Sequence, residues 1–313
     1  MSTDSAPRGS SDPRVPKAVF IIVDGIPAEV IEATHTPAID AVSGDKGYTR
    51  SYVGGEIGAE SESPTISAVG YNSLLTGTWA NKHNVYGNAI EAPNYDYWDV
   101  FRIAKHANPA LRTALFSTWQ DNRTRLLGDS LAEAGGKKID FAFDGLELDE
   151  ETYPHDDASD YIRQIDLAVT ESAVRQLAEQ GPDLSWVYLQ HTDDIGHRHG
   201  TGREFTEAVR LMDANVGRIA AAVRAREERF EEDWLIIVTT DHGRDAEAGR
   251  HHGGQSEEER TIWIATNSDR LNARFAQRPA IVDILPSLLR HLGVDAPEHI
   301  SRHFDGASFI ERR

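Results

Sequence analysis

Three short apolar runs in this chain end the same way, on a carboxylate. Phe20-Ile21-Ile22-Val23 leads into Asp24-Gly25, Trp186 to Gln190 into His191-Thr192-Asp193, and Trp234 to Thr240 into Asp241-His242-Gly243. Runs this short and this rich in β-branched and aromatic residues read as buried strands. Strands are expected over 18–23, 113–117, 186–190, 234–239 and 261–265, and helices over 97–107, 161–180, 203–228 and 280–292. In the third helix Phe205, Val209, Met212, Val216 and Ile219 recur at spacings of three and four, which makes one buried stripe. Strands alternating with helices specify an α/β fold with a central, largely parallel sheet sandwiched by helices. In such sheets ligands bind outside the carboxyl ends of the strands. Three carboxylates gathered there repel one another unless a cation sits between them. A single Asp after a strand is better read as a helix cap or a turn residue. For three, two of them with a partner histidine, that reading is the weaker one.

The bulk composition narrows the partners. The 313 residues have a 39% hydrophobic content, enough for a sizeable core, and no linker divides them. Residues 1–16, rich in Ser, Pro and charge, are expected to be a disordered N-terminal arm, and 17–313 a single catalytic domain. With 32 basic against 51 acidic residues the formal net charge is −19, a surface that repels nucleic-acid backbones and anionic membranes. A small phosphate-bearing molecule can still bind where bound cations reverse the local field. The chain has no cysteine, so any zinc must be held by histidine and carboxylate. No run is long enough to span a bilayer or to form a signal-peptide core. As written, the chain is expected to be soluble and cytoplasmic; a removed leader would make it an exported protein.

Further imidazoles accompany the strand-end carboxylates. Asp193-Asp194-Ile195-Gly196-His197 sets a carboxylate and a histidine four apart, in a turn that Gly196 opens. Asp241-His242 sets them side by side, and Arg250-His251-His252-Gly253-Gly254 adds a glycine-rich loop. Two zinc sites of three or four ligands each can be filled from this set. Upstream, Ser67 falls at the start of a helix running to Thr76-Gly77, where the dipole and free N–H groups favour an alkoxide and a bound phosphate. On that segment alone a plain N-cap is the simpler reading.

These motifs together resemble the alkaline phosphatase superfamily, and within it the type I phosphodiesterase/nucleotide pyrophosphatase group. The resemblance runs from Asp24-Gly25 through Leu75-Thr76-Gly77, Asn84-Val85-Tyr86-Gly87-Asn88, Asp193-x-x-Gly196-His197, Asp241-His242-Gly243 and His252-Gly253-Gly254 to Asp283–Leu289 and Leu292-Gly293-Val294. It implies two divalent metals, zinc or manganese. Asp24, Asp241, His242 and the nucleophile oxygen would hold one, and Asp193, His197 and His252 the other. It places the nucleophile at Ser67, with Thr65 and then Ser63 as alternatives, and a phospho-seryl intermediate on it. It gives Asn88 a non-bridging phosphate oxygen to bind. It favours His252 over His251. His191 and His199, which flank the Asp193 motif, read as surface or supporting groups, with His199 the substitute ligand of the two, and Asp194 reads as a turn residue or an acceptor for a ligand histidine.

Other readings meet specific obstacles. Arylsulfatases need Pro and Arg at set offsets after the nucleophile, and Ser67 is followed by Ala68-Val69-Gly70-Tyr71. Cofactor-independent phosphoglycerate mutases carry a large inserted domain for which there is no room. A phosphomonoesterase needs extra cationic groups on its dianionic substrate, and Lys82 and Arg123 are the candidates. A silent metal-binding domain would not need the full ligand set together with a nucleophile. Trp98 and Phe101 are expected in the core, and Trp79, near the Ser67 helix, is expected to line the pocket.

Overall fold

The computed structural model describes residues 13–312. Seven strands form one sheet: β1 (Val15–Val23), β2 (Tyr48–Tyr52), β3 (Thr113–Ser117), β4 (Phe141–Phe143), β5 (Leu184–Leu189), β6 (Glu232–Thr239) and β7 (Thr261–Thr266). Their order is β2-β7-β6-β1-β5-β3-β4. The run from β6 to β4 is parallel, whereas β7 is antiparallel to β6 and β2 antiparallel to β7. Along β1, Ala18, Phe20 and Ile22 enter one core while Val19, Ile21 and Val23 enter the other. A strand covered on both faces has no polar side, which is why its sequence is continuously apolar. Helices Ser67–Thr76, Val100–Ala107 and Ile284–Leu292 cover the first face, and Asp160–Glu179 and Arg203–Glu227 the second.

This order brings the carboxylates together. β1 lies between β5 and β6, with Val23 opposite Leu189 and Ile22 opposite Thr239. Whatever follows these residues is delivered to one end of the sheet. The fold is the expected α/β class, with a mostly parallel sheet between helices.

Several local expectations are corrected. Residues 1–12 of the expected arm lie outside the described region, but Val15 and Pro16 belong to β1, opposite Glu232 and Asp233. Pro16 fits a central strand because pairing with β5 begins only at Ala18, so no neighbour there needs its missing N–H. The short β2 and β4 lie outside the expected strands; β2 reads Tyr-Thr-Arg-Ser-Tyr, without the apolar run of a buried strand. Helix Val100–Ala107 starts three residues later than expected because Asp99 Oδ1 accepts from Phe101 N at 2.9 Å and Arg102 N at 3.0 Å, capping it there. The segment from 280 opens with a 3₁₀ turn, Ile281–Asp283, before the α-helix Ile284–Leu292. Trp79 is core rather than pocket lining, 6% exposed and stacked on Tyr52 at 6.1 Å. Phe101 is fully buried, and Trp98 packs on the same core at its margin.

Ile22, two residues before Asp24, is fully buried in the central strand. Ile22→Ala removes packed methyl groups and is expected to cost about 2–5 kcal/mol. A urea unfolding midpoint unchanged from the parent would contradict this placement.

Candidate metal centre

Asp24 continues β1, its N–H still bonded to Leu189 O at 3.1 Å. Asp241 and His242 follow β6 after Thr240 and are fully buried. Asp193 and His197 do not sit in a turn: they lie one turn apart on the helix His191–His199 that begins where β5 ends, so both project from one face. Gly196 serves there to leave space, since a Cβ would lie 2.1 Å from Arg244 Cζ. His252 arrives on the loop between β6 and β7.

His242 Nε2 is the hub. It lies 3.4 Å from Asp24 Oδ1, 3.3 Å from Asp241 Oδ2 and 3.3 Å from Ser67 Oγ. Asp24, Asp241 and His242 form one group of potential ligands, with their atoms within 4.8 Å of one another, and Asp193, His242 and His252 form a second. His197 Nε2 joins the latter, 3.2 Å from Asp193 Oδ2 and 3.1 Å from His252 Nε2. The rings of His242 and His252 stack at 3.6 Å. His242 thus bridges the two groups, which the resemblance had kept apart. His191 and His199 stand outside both groups, and Asp194 accepts from Gln190 Nε2 at 3.0 Å on the same helix instead of sitting in a turn.

The charges in this cluster are poorly balanced. Burial raises Asp241, and the Asp24 carboxylate beside it raises it further, to well above the usual range. Burial alone would lower His242, but Asp241, Asp24 and Asp193 outweigh it and push the imidazole up to about 9. His252 is driven down to about 4 by burial and by the charge of His242. Burial would raise Asp193, yet the His197 hydrogen bond and the Arg244 guanidinium hold it well below the ordinary carboxylate range.

The hydroxyls near the cluster are differently employed. Ser67 is the first residue of its helix, after the N-cap Ile66, and its side chain makes no capping bond. Thr65 Oγ1 is occupied on both sides, donating to Gly254 O and accepting from Gly253 N, each at 2.9 Å. Ser63 Oγ donates to Ser61 O at 2.9 Å and accepts from Ala80 N at 3.0 Å. Asn88 Oδ1 accepts from Ala68 N at 3.0 Å, which fixes the amide beside Ser67 with its NH₂ available to donate. His251 is exposed, and its N–H binds Asp245 Oδ2 at 2.6 Å.

Four supporting residues lie outside the set that the sequence motifs single out. Tyr71, one helical turn after Ser67, and Tyr188, next to last in β5, both donate to Asp24 Oδ2, which turns Oδ1 toward His242. Arg244, directly after Asp241-His242-Gly243, is paired with Asp193. Asp166 accepts from Gln190 N at 3.0 Å and His191 N at 2.9 Å, anchoring the start of the Asp193 helix. The helical spacing from Ser67 to Tyr71 was the one signal available; the others depend on tertiary packing.

The donor set fits divalent cations. Asp24 Oδ1 and Asp241 Oδ2 are buried without a hydrogen-bond partner, a costly state that a cation would relieve. His242 Nδ1 donates to Gly243 O and His252 Nδ1 to Thr65 O, each at 2.9 Å, so in both rings Nε2 is the nitrogen left to bind a metal.

The profile of the type I phosphodiesterase / nucleotide pyrophosphatase family matches residues 18–283, and the chain belongs to that family. Its relatives are members of the alkaline phosphatase superfamily. A 2,3-bisphosphoglycerate-independent phosphoglycerate mutase of Natronomonas pharaonis is 25% identical over 185 residues, 57% of this chain and 34% of the relative. Alkaline phosphatase PhoD of Zymomonas mobilis is 32% identical over 98 residues, 31% of this chain and 16% of the relative. The chain therefore spans about a third or less of these relatives. Among solved structures, the phosphonate monoester hydrolase of Agrobacterium radiobacter has a TM-score of 0.62 at 15% identity, covering 94% of this chain and 76% of its own. A 2-O GAG sulfatase gives 0.62 at 13% identity, covering 94% and 73%. These two likenesses are of fold. The family is one of ester hydrolases.

Proton competition gives a direct check. With its pKa near 9, the His242 ring is protonated at neutral pH, and a cation must displace that proton to reach Nε2. Affinity for a divalent cation is therefore expected to rise from pH 7 to pH 9 and level off above, with at least one proton released per cation bound at His242 at pH 7. Calorimetric titration in two buffers of different ionisation enthalpy measures the release; pH-independent binding without release would contradict the arrangement.

Proposed function

We propose that the chain hydrolyses small phosphodiesters or nucleotide pyrophosphates through a covalent intermediate on Ser67, with two divalent cations held by the strand-end cluster. The observation that carries this reading is the Ser67 hydroxyl at a helix N-terminus, uncommitted to capping and 3.3 Å from His242 Nε2, beside two buried carboxylate oxygens without partners. Asp24, Asp241 and His242 would hold one cation and Asp193, His197 and His252 the other; bound there, they would lower the serine pKa and stabilise the leaving oxygen.

The protein's own groups supply orientation. Ser67 Oγ attacks phosphorus in line, a P–O bond to Ser67 forms and the leaving group departs with the electrons of the bond it breaks. Water then cleaves the phospho-seryl ester and restores the hydroxyl. The N-terminus of the Ser67 helix favours the negative charge of both alkoxide and phosphate. Asn88 Nδ2 donates to a non-bridging oxygen, a neutral contact suited to a monoanionic diester. Tyr71 and Tyr188 hold Asp24 to a single free oxygen. Thr65 locks the His252 loop.

Preference for a diester is supported by the fate of the two spare cations. Arg123 is bidentate on Asp144, at 2.6 and 2.9 Å, and Lys82 is bound to Asp305 and to His303 O at 2.8 Å. Both charges are offset by neighbouring carboxylates, which weakens what either could give a dianionic monoester. The phosphonate monoester hydrolases among the structural neighbours act on another monoanionic ester, a class that fits the same neutral amide.

Purified protein with added zinc or manganese is expected to turn over a chromogenic phosphodiester faster than the matching monoester, and EDTA to abolish both. Ser67→Ala should lower kcat at least about a thousandfold while keeping the fold, on the scale expected when a nucleophile is lost. Thr65→Ala should chiefly weaken cation binding through the His252 loop. A dead Thr65→Ala with a normal Ser67→Ala would reassign the nucleophile, and a faster monoester reaction would overturn the diester preference.

A further inference from the structure

Arg244 is a buried cation that belongs to neither group of candidate ligands. Its side chain is 0% exposed. Nε donates to Gly25 O at 3.0 Å, and Nη2 donates to Asp193 O at 2.9 Å and to Asp193 Oδ1. Two glycines of the motifs make room for it. A Cβ on Gly196 would lie 2.1 Å from Arg244 Cζ, and one on Gly25 2.8 Å from Nη2 and 2.7 Å from Asp193 Oδ1. Both glycines flank candidate ligands, so the packing that admits the guanidinium is built into the same motifs as the site.

The two halves of the cluster are therefore unequal before any cation arrives. Asp24 Oδ1 and Asp241 Oδ2 are buried without a hydrogen-bond partner, and the basic group beside them is the His242 imidazole, at 3.4 and 3.3 Å. Asp193 already has one oxygen engaged by a full positive charge. Arginine does not give up its proton at any accessible pH, so that charge persists when a second cation enters. In a buried setting like charges a few ångströms apart repel strongly.

We propose that Arg244 is a fixed counter-cation that orders metal loading: the Asp24–Asp241–His242 half fills first and tightly, and the Asp193–His197–His252 half takes its cation weakly. Arg244 is a positioning residue in this scheme, acting through Asp193 and touching no substrate. Turnover would then follow the availability of the second, weakly held cation. The inference rests on the two-cation reading above.

Zinc titration of the full, metal-stripped chain against a chromogenic zinc chelator tests it without reference to activity. Two binding classes separated by more than tenfold are expected in the parent. Asp193→Asn should abolish the weaker class and keep the tighter one. Arg244→Met should tighten the weaker class at least fivefold and leave the tighter within twofold, whereas Arg244→Lys, which keeps the charge, should leave both within threefold. A smaller separation in the parent, loss of the tighter class in Asp193→Asn, or a weaker class not tightened fivefold in a folded Arg244→Met would overturn the proposal. If Arg244→Met does not fold by circular dichroism, Arg244→Gln is read in its place, with the same fivefold tightening expected and its absence overturning the proposal. No zinc bound by the parent would overturn the two-cation reading itself, a result distinct from two equal sites.

Discussion

Three carboxylates brought to adjoining ends of parallel strands, with too little protein charge to balance them, are the constraint on which the rest of the structure depends. Asp24 and Asp241 are buried, and one oxygen of each has no hydrogen bond. Taking such groups out of water is expensive, and a fold keeps them there only if something else supplies the positive charge. Two partial remedies are built in. His242 holds a proton up to a pKa near 9 between Asp24 and Asp241, and Arg244 locks onto Asp193. The first is removable and the second is not. A divalent cation can replace the proton on His242 but must coexist with the guanidinium.

The neighbouring hydroxyls and amides are arranged around that charge. Tyr71 and Tyr188 take one oxygen of Asp24 and aim the other inward. Tyr71 rides on the same helix as Ser67, so the position of the candidate nucleophile and the orientation of a candidate ligand are mechanically linked. Thr65, a few residues earlier, ties that helix start to the loop bearing His252. A shift in either the Ser67 helix or the His252 loop would therefore disturb both ligand groups.

What could be read from the sequence was whatever depended on local pattern. Strands that end on Asp24, Asp193 and Asp241 are visible because a strand covered on both faces is apolar along its whole length and stops abruptly. The pairing of Asp193 with His197 was visible as a spacing of four, but Gly196 suggested a turn. The segment is helical, and the glycine is there for Arg244, which only tertiary packing reveals. The polar edge strand β2 lacks the apolar signature, so its existence depends on pairing with β7. Ser67, Asn88 and His252 became distinguishable from Thr65, Ser63 and His251 only through the family pattern. Their different hydrogen-bond commitments appear only in three dimensions. Arg244 and Asp166 act through partners about fifty and about twenty-five residues away in the chain, beyond the reach of any periodicity.

Anomalous diffraction at the zinc edge from crystals grown with excess zinc tests the central claim most directly. Two peaks are expected in one cleft, the stronger among Asp24, Asp241 and His242 and the weaker among Asp193, His197 and His252. A cleft without a peak, or a single fully occupied peak beside Asp193 with none at Asp24, would contradict the claim that buried, unbalanced carboxylates define this site.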